Sequence, residues 1–239
     1  MRFTQEIKKK DTFMPVAILS AGISSRMKTH EPRSLLKIGD KPLIEHQCEV
    51  IKSVFYENEI LLVIGYKSDK IIKKIGESKI RIIENQLFEE TNSGESLRLA
   101  VMNNVYNRIL LIHGDLYFNT ETFKDLNYSK SFLLIDNNSQ MSDREVGVIV
   151  DNNKVTNLSY GLKSKWCQIA YFQGQEYQIL KQVLLKDREN IKKKVSFEII
   201  NEVIDKGGCF YHHEPKDMNI TEIDCIRDIN NDKFKNISC

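Results

Sequence analysis

The chain has 239 residues, 28% of them charged, and a formal net charge of +2. That is enough chain for one sizeable core or two small ones. The near balance of charge excludes a strongly basic nucleic-acid binder. The 5 cysteines (Cys48, Cys167, Cys209, Cys225 and Cys239) are scattered and no pair has zinc spacing, so reduced thiols are expected. No stretch approaches the roughly 20 apolar residues of a membrane span, and the N-terminus lacks the apolar segment of a signal peptide. A cytoplasmic protein with no nucleic-acid and no membrane partner is expected. The lysine clusters at 8–10 and 192–194 read as solvated surface.

Residues 1–13 are polar and basic and read as an extension; residues 14–239 read as one domain. The apolar run 16–19 predicts a strand buried on both faces. Leu43, Ile44, Cys48, Ile51 and Val54 recur at helical spacing and predict a helix over 42–55. Strands are expected over 59–65, 80–84, 109–113 and 131–136, with helices over 69–76 and 94–104. Strand and helix alternate, which implies right-handed crossovers and a mostly parallel sheet with helices on both faces. The second half changes character. A hairpin is expected from 146–150 and 154–158 around a polar Asp151-Asn152-Asn153 turn, followed by a strand over 166–172. Helices over 176–185 and 196–206, a strand over 209–213 and a last helix from 224 to about 234 complete the pattern. No repeat, linker or low-complexity tract interrupts it. The second half therefore reads as a small β-rich elaboration on the same sheet.

The most informative stretch runs from Pro15 to Ile38. A buried strand stops at Ser20-Ala21-Gly22 and hands over to Ser24, Ser25 and Arg26. Small side chains let backbone N–H groups approach an anion, and an arginine adds a planar fork of donors. A plain tight turn after a core strand is the competing explanation. Further on, Pro32 fixes the chain, Arg33 and Lys37 add charge, and Gly39-Asp40-Lys41-Pro42 turns into a helix with proline at its front.

Taken together, Leu19, Ala21, Gly22, Ser25, Arg26, Met27, Pro32, Leu35 and Lys41-Pro42-Leu43-Ile44 resemble the signature of the sugar-phosphate and phosphocholine nucleotidyltransferases. Two positions depart from it. Ser24 stands where the family has a second glycine, and Arg33 where it has lysine. The resemblance implies a Rossmann-like, doubly wound mixed sheet that is mostly parallel. It also implies a Mg²⁺-dependent transfer of a nucleoside monophosphate to a small phosphorylated acceptor.

Ligands of an open α/β sheet lie at the carboxyl ends of its strands. The resemblance places Leu19, Ser20, Ala21, Gly22, Ser24 and Ser25 on the nucleotide phosphates, with Arg26 and Arg33 as the catalytic cations. Gly94 and Ser96, at the start of the third helix, would contact the nucleotide; simple helix capping is the alternative for the serine. Asp115 follows a buried strand, and a carboxylate there suits a hard cation. The resemblance implies that Asp115 and Asp224 hold the Mg²⁺, although each also suits a turn or helix cap. His113 reads as a packed strand residue. His212 and His213, on opposite faces of a strand, do not suggest a zinc site.

The attacking oxygen of a phosphate acceptor is already anionic, so positioning and charge neutralisation suffice. The short chain and the Glu222-Ile223-Asp224 ending resemble the cytidylyltransferases of phosphocholine or aminoethylphosphonate. CTP is the expected donor. Phe197 and Glu198, with Glu222 and Trp166, are the acceptor candidates, since aromatic and acidic groups suit an ammonium. A sugar-1-phosphate uridylyl- or thymidylyltransferase is an alternative. So are a molybdenum-cofactor guanylyltransferase-like enzyme and a degenerate nucleotide binder. A homodimer is left open.

Overall fold

The computed structural model describes residues 13–23, 31–76, 78–139 and 141–223. In chain order the strands are β1 (Met14–Ser20), β2 (Lys37–Ile38), β3 (Lys41–Pro42), β4 (Asn58–Ile64), β5 (Ile80–Glu84), β6 (Arg108–His113) and β7 (Leu116–Phe118). They continue as β8 (Phe132–Asp136), β9 (Val146–Asp151), β10 (Lys154–Tyr160), β11 (Ser164–Gln173), β12 (Phe210–His213) and β13 (Ile220–Glu222). The helices are α1 (Leu43–Val54), α2 (Ser68–Ile75), α3 (Ser93–Asn103), α4 (Gly174–Lys186), α5 (Arg188–Lys193) and α6 (Ser196–Asp205).

Nine strands form one sheet in the order β5-β4-β1-β6-β11-β8-β12-β10-β9. Its first four strands are parallel, each joined to the next in sequence through a helix. Side chains along β1 alternate between two cores. Ala17 and Leu19 pack with residues of α3, α4 and α6, while Val16 and Ile18 pack with residues of α1 and α2. That period of two, with apolar residues at every position, is what a strand covered on both faces requires.

The sheet is less parallel than the pattern of alternating elements implies. β11 inserts between β6 and β8 and runs antiparallel to both. The reason is local. β9 and β10 are joined by Asn152 and Asn153 at φ 47 and 65, the backbone of a tight hairpin turn. β11 then follows β10 after a short connection, with no crossover helix to reverse its direction. β8 and β12 are again parallel neighbours.

Short elements escape a reading based on periodicity. Two small ladders, β2 with β3 and β7 with β13, have too few residues to show one. Helix α5 ends in the lysine run 192–194 read as surface. The backbone of that run does more than the sequence suggests. The carbonyls of Lys192 and Lys194 accept the N–H groups of Asn92 (2.8 Å) and Gly94 (2.9 Å), closing the start of α3. The expected last helix and most of the N-terminal extension lie outside the described residues. Among the described residues no helix is long and apolar enough to cross a membrane.

Glu95, in the first turn of α3, is only 1% exposed. Arg98 donates to it through Nε (2.7 Å) and Nη2 (2.8 Å), and Arg188 reaches it at 3.4 Å. Burial pushes its carboxyl up, but the two arginines outweigh burial and hold it below the ordinary value. A depressed carboxyl stabilises the fold above its unfolded pKa of about 4.3 and loses that contribution as pH falls through its folded pKa. Glu95→Gln is therefore expected to cost about 3 kcal/mol at neutral pH. In urea titrations that difference should shrink progressively below about pH 4. A difference independent of pH would contradict this assignment.

Candidate active site

The carboxyl ends of β1 and β6 are held together by a contact that only glycine permits. The Gly114 N–H donates to the Leu19 carbonyl at 2.8 Å. A Cβ on Gly114 would stand 2.7 Å from Ser20 Cβ and 2.8 Å from the Leu19 oxygen, closer than atoms pack. This approach sets Asp115 directly beside the 20–23 loop. The Asp115 carbonyl in turn accepts the N–H of Ile223 at 2.8 Å, so the β7–β13 ladder returns the chain to the same point.

Arg33 arrives from the other side, in a single 3-10 turn that follows Pro32. Its Nη1 donates to Asp115 Oδ2 at 2.6 Å, in a pair whose side chains are 22% and 17% exposed. The other carboxylate oxygen, Oδ1, is buried and receives no hydrogen bond among the described residues. Leaving a buried carboxylate oxygen unmatched is costly, and a hard cation is the natural partner for it. These groups line a cavity of about 640 Å³ together with Leu19, Ser20, Ala21, Gly22, Ile23, Asn85, Ser93 and Ser96.

A second cavity of about 940 Å³ opens alongside the first. Its walls carry the aromatic groups Tyr160, Trp166 and Phe197 and the carboxylates Asp136, Glu145 and Glu222. The Tyr160 and Phe197 rings meet edge to face, centroids 5.3 Å apart at 84°. Lys165 also lines the cavity and forms an ion pair with Glu145. Gln168 Nε2 donates to Glu222 Oε2 at 2.7 Å.

Three residues, Ser93, His113 and Val195, line both cavities and form the wall between them. His113 Nε2 lies 2.8 Å from Ser196 Oγ, and the Ser196 N–H donates to Ser93 Oγ, also at 2.8 Å. The Trp166 ring stands edge to face against the imidazole, 5.7 Å away. Burial lowers the His113 pKa despite the nearby Asp115 charge, so the ring is neutral near pH 7. His113 is thus a packed strand residue, as expected, and it also stands at the junction of the two cavities.

The structure brings Leu19, Ser20, Ala21, Gly22, Arg33, Ser96 and Asp115 to the smaller cavity and Phe197 and Glu222 to the larger. Two of the predicted residues lie elsewhere among the described residues. Gly94 lines neither cavity: its N–H is bonded to Lys194, and a Cβ there would stand 2.6 Å from the Lys194 carbonyl. Its glycine serves the packing of α3 on the chain around α5. Glu198 is exposed and lines neither cavity; its carboxylate accepts the Val195 N–H at 2.8 Å and caps its own helix. Ser24, Ser25, Arg26 and Asp224 lie outside the described residues. Among the described residues no cluster of three metal-ligating side chains occurs, so Asp115 is the one predicted ligand within them. Tyr160, Lys165 and Gln168 were not singled out by the sequence, since nothing local marks a strand residue as facing a cavity.

Residues 16–129 match the family model of the MobA-like NTP transferase domain. The chain is 32% identical over 117 residues to the bifunctional protein GlmU of Buchnera aphidicola. That match covers 48% of this chain and 25% of the relative. It is 31% identical over 93 residues to the choline-phosphate cytidylyltransferase of Streptococcus pneumoniae, covering 36% of this chain and 39% of the relative. The chain thus aligns with well under half the length of these relatives. Among solved structures, the CTP:phosphocholine cytidylyltransferase LicC of S. pneumoniae superposes with a TM-score of 0.74 at 22% identity. The superposition covers 91% of this chain and 96% of that one. The inositol-1-phosphate CTP transferase of T. maritima gives 0.76 at 15% identity, covering 95% and 99%. Residues 16–129 are thus similar to an NTP-transferase domain, and the fold is the one these two cytidylyltransferase structures share.

Gly114 and Gly22 make a controlled pair, because a Cβ on Gly22 meets nothing within 4 Å among the described residues. Gly114→Ala is expected to cost about 1–3 kcal/mol in urea unfolding, since the backbone of β1 must shift to admit it. Gly22→Ala should fall within about 0.5 kcal/mol of the wild type. Equal costs at the two positions would show that the close approach does not constrain the site.

Proposed function

We propose that this protein is a nucleotidyltransferase that binds a nucleoside triphosphate in the smaller cavity and a small phosphorylated or phosphonylated acceptor in the larger. CTP is the donor of choice, and the acceptor carries an ammonium group, as in phosphocholine or aminoethylphosphonate. One observation carries the reading: two cavities of different chemistry meet at the carboxyl ends of β1 and β6, separated only by Ser93, His113 and Val195. A donor and an acceptor lying one in each would have their phosphates facing across that wall. The match to the NTP-transferase domain and the likeness to cytidylyltransferase structures support the same assignment.

The chemistry is a displacement at phosphorus. An acceptor oxygen, already anionic, forms a bond to the α-phosphorus as the bond to the β-phosphate bridging oxygen breaks, and pyrophosphate leaves. No proton has to be removed from the attacking group. The protein's task is to hold two anions together and to offset the charge that builds on the leaving group. The small residues Ser20, Ala21 and Gly22 leave room for backbone N–H groups beside the phosphates. Arg33 supplies a guanidinium, held in place by Asp115.

A divalent cation such as Mg²⁺ is implied by the domain family, and the donor set fits it. Asp115 Oδ1 is a buried oxygen that lacks a protein donor among the described residues. Asp224 is the proposed second ligand, next in sequence to Ile223, which is bonded to the Asp115 carbonyl. When bound, the ion neutralises phosphate charge.

On the acceptor side, Tyr160, Trp166 and Phe197 offer aromatic faces and edges, and Glu222 a carboxylate, a combination suited to an ammonium group. Other residues of the same cavity favour a second reading. Asn138, Ser139 and Ser142 are neutral hydrogen-bonding groups that suit sugar hydroxyls. A sugar 1-phosphate is the acceptor those groups would select.

Pyrophosphate release distinguishes these readings. The four nucleoside triphosphates are each paired with phosphocholine, aminoethylphosphonate, glycerol phosphate and hexose 1-phosphates, with Mg²⁺ and with EDTA. The expected result is Mg²⁺-dependent turnover with CTP and an amine-bearing acceptor. Asp115→Asn should lower kcat by about a hundredfold or more, as loss of a group that offsets transition-state charge does. Turnover confined to hexose 1-phosphates would replace the acceptor assignment by the sugar reading. No turnover with any pair would contradict the functional reading.

A further inference from the structure

Strand β11 carries a distortion at the wall of the larger cavity. Against β8, Trp166 pairs with Ile135 and Ala170 pairs with Leu133. β11 therefore takes four residue steps, 166 to 170, where β8 takes two, 135 to 133. At the crest of this bulge Gln168 has φ +57. That left-handed conformation is disfavoured for residues with a Cβ, and asparagine and aspartate tolerate it better than glutamine. Neighbours keep the bulge shut: Trp166 Nε1 donates to the Ile169 carbonyl at 3.1 Å, and Cys167 and Ile169 stay buried in the core on the other face. Strained bulges of this kind persist where the surroundings impose them, and they concentrate where a side chain must be aimed.

Here the side chain is aimed at Glu222. The Gln168 amide crosses from the large sheet to the β7–β13 ladder and donates to Glu222 Oε2 at 2.7 Å, a contact between residues 54 apart in sequence. Both residues line the larger cavity.

We propose that Gln168 is a positioning residue for the acceptor: the β11 bulge aims its amide to orient Glu222 in the larger cavity. The proposal rests on the functional reading above for its substrate, and on the geometry of the bulge for its residue.

The test uses Gln168→Asn and Gln168→Lys in the full chain, alone and with Glu222→Gln. Asparagine suits the left-handed backbone but is one methylene too short to reach Glu222. With CTP and phosphocholine, Gln168→Asn should raise the acceptor KM roughly tenfold to a hundredfold, the size of a hydrogen bond to a charged group. The CTP KM should stay within about twofold, as expected when acceptor binding alone is lost. The melting temperature should not fall. Gln168→Lys should weaken phosphocholine further, and Gln168→Asn should add nothing in the Glu222→Gln background. A fall in melting temperature with all kinetic constants moving together would show a merely structural bulge and overturn the proposal. So would an undiminished effect in the Glu222→Gln background. If the wild type turns over no donor–acceptor pair, the functional reading fails by itself. Crystal structures of the wild type and Gln168→Asn then decide the positioning role. A displaced Glu222 carboxylate supports it, and an unmoved one overturns it.

Discussion

The close approach of Gly114 to Leu19 and Ser20 is the constraint on which the site depends. Two parallel strands end side by side there, and their ends must be narrow enough for Asp115 to stand next to the 20–23 loop. A side chain at position 114 would push the strands apart. The same point receives Arg33 from the 3-10 turn and Ile223 from the β13 end. Four chain segments therefore converge on Asp115. The geometry is inherited from the buried sheet, whose β1 residues Val16, Ala17 and Ile18 have no exposure at all. Sites carried on such strands are held more precisely than sites on loops alone.

The second consequence is a division of labour between halves of the chain. The ends of β1 and β6 and the start of α3 line the smaller cavity. Residues of β8, β10 and β11, with Phe197 of α6 and Glu222 of β13, supply the aromatic and acidic walls of the larger one. His113 lies at the seam, at the end of β6, bonded to Ser196 and packed against Trp166. The family match covers residues 16–129, which hold most of the smaller cavity's lining but only Ser93 and His113 of the larger one's.

Much of this was legible in the sequence, for physical reasons that can be named. The continuous apolar run at 16–19 and the helical spacing of Leu43, Ile44, Cys48 and Ile51 reflect burial, and burial follows periodicity. The Ser20-Ala21-Gly22 turn and Asp115 were recognisable because small residues and a carboxylate end apolar strands there. What escaped was set by contacts distant in sequence. The antiparallel course of β11 depends on a hairpin return that periodicity does not encode. Gly94 was read as a ligand contact because a glycine gives no sign of what approaches it, here the Lys194 carbonyl. Glu198 was read as facing the cleft, yet three residues from Val195 it has the spacing of a helix cap. Gln168 was invisible, since neither its bulge nor its partner can be inferred from its neighbours.

The central claim is that donor and acceptor occupy the two cavities separately. A crystal structure of the protein with Mg²⁺ and a non-hydrolysable CTP analogue tests it most directly. The triphosphate should lie in the smaller cavity, between the 20–23 loop and the Arg33–Asp115 pair, with the space between Tyr160, Trp166 and Phe197 left open. A nucleotide seated among those aromatic residues instead, with its phosphates away from Asp115, would contradict it.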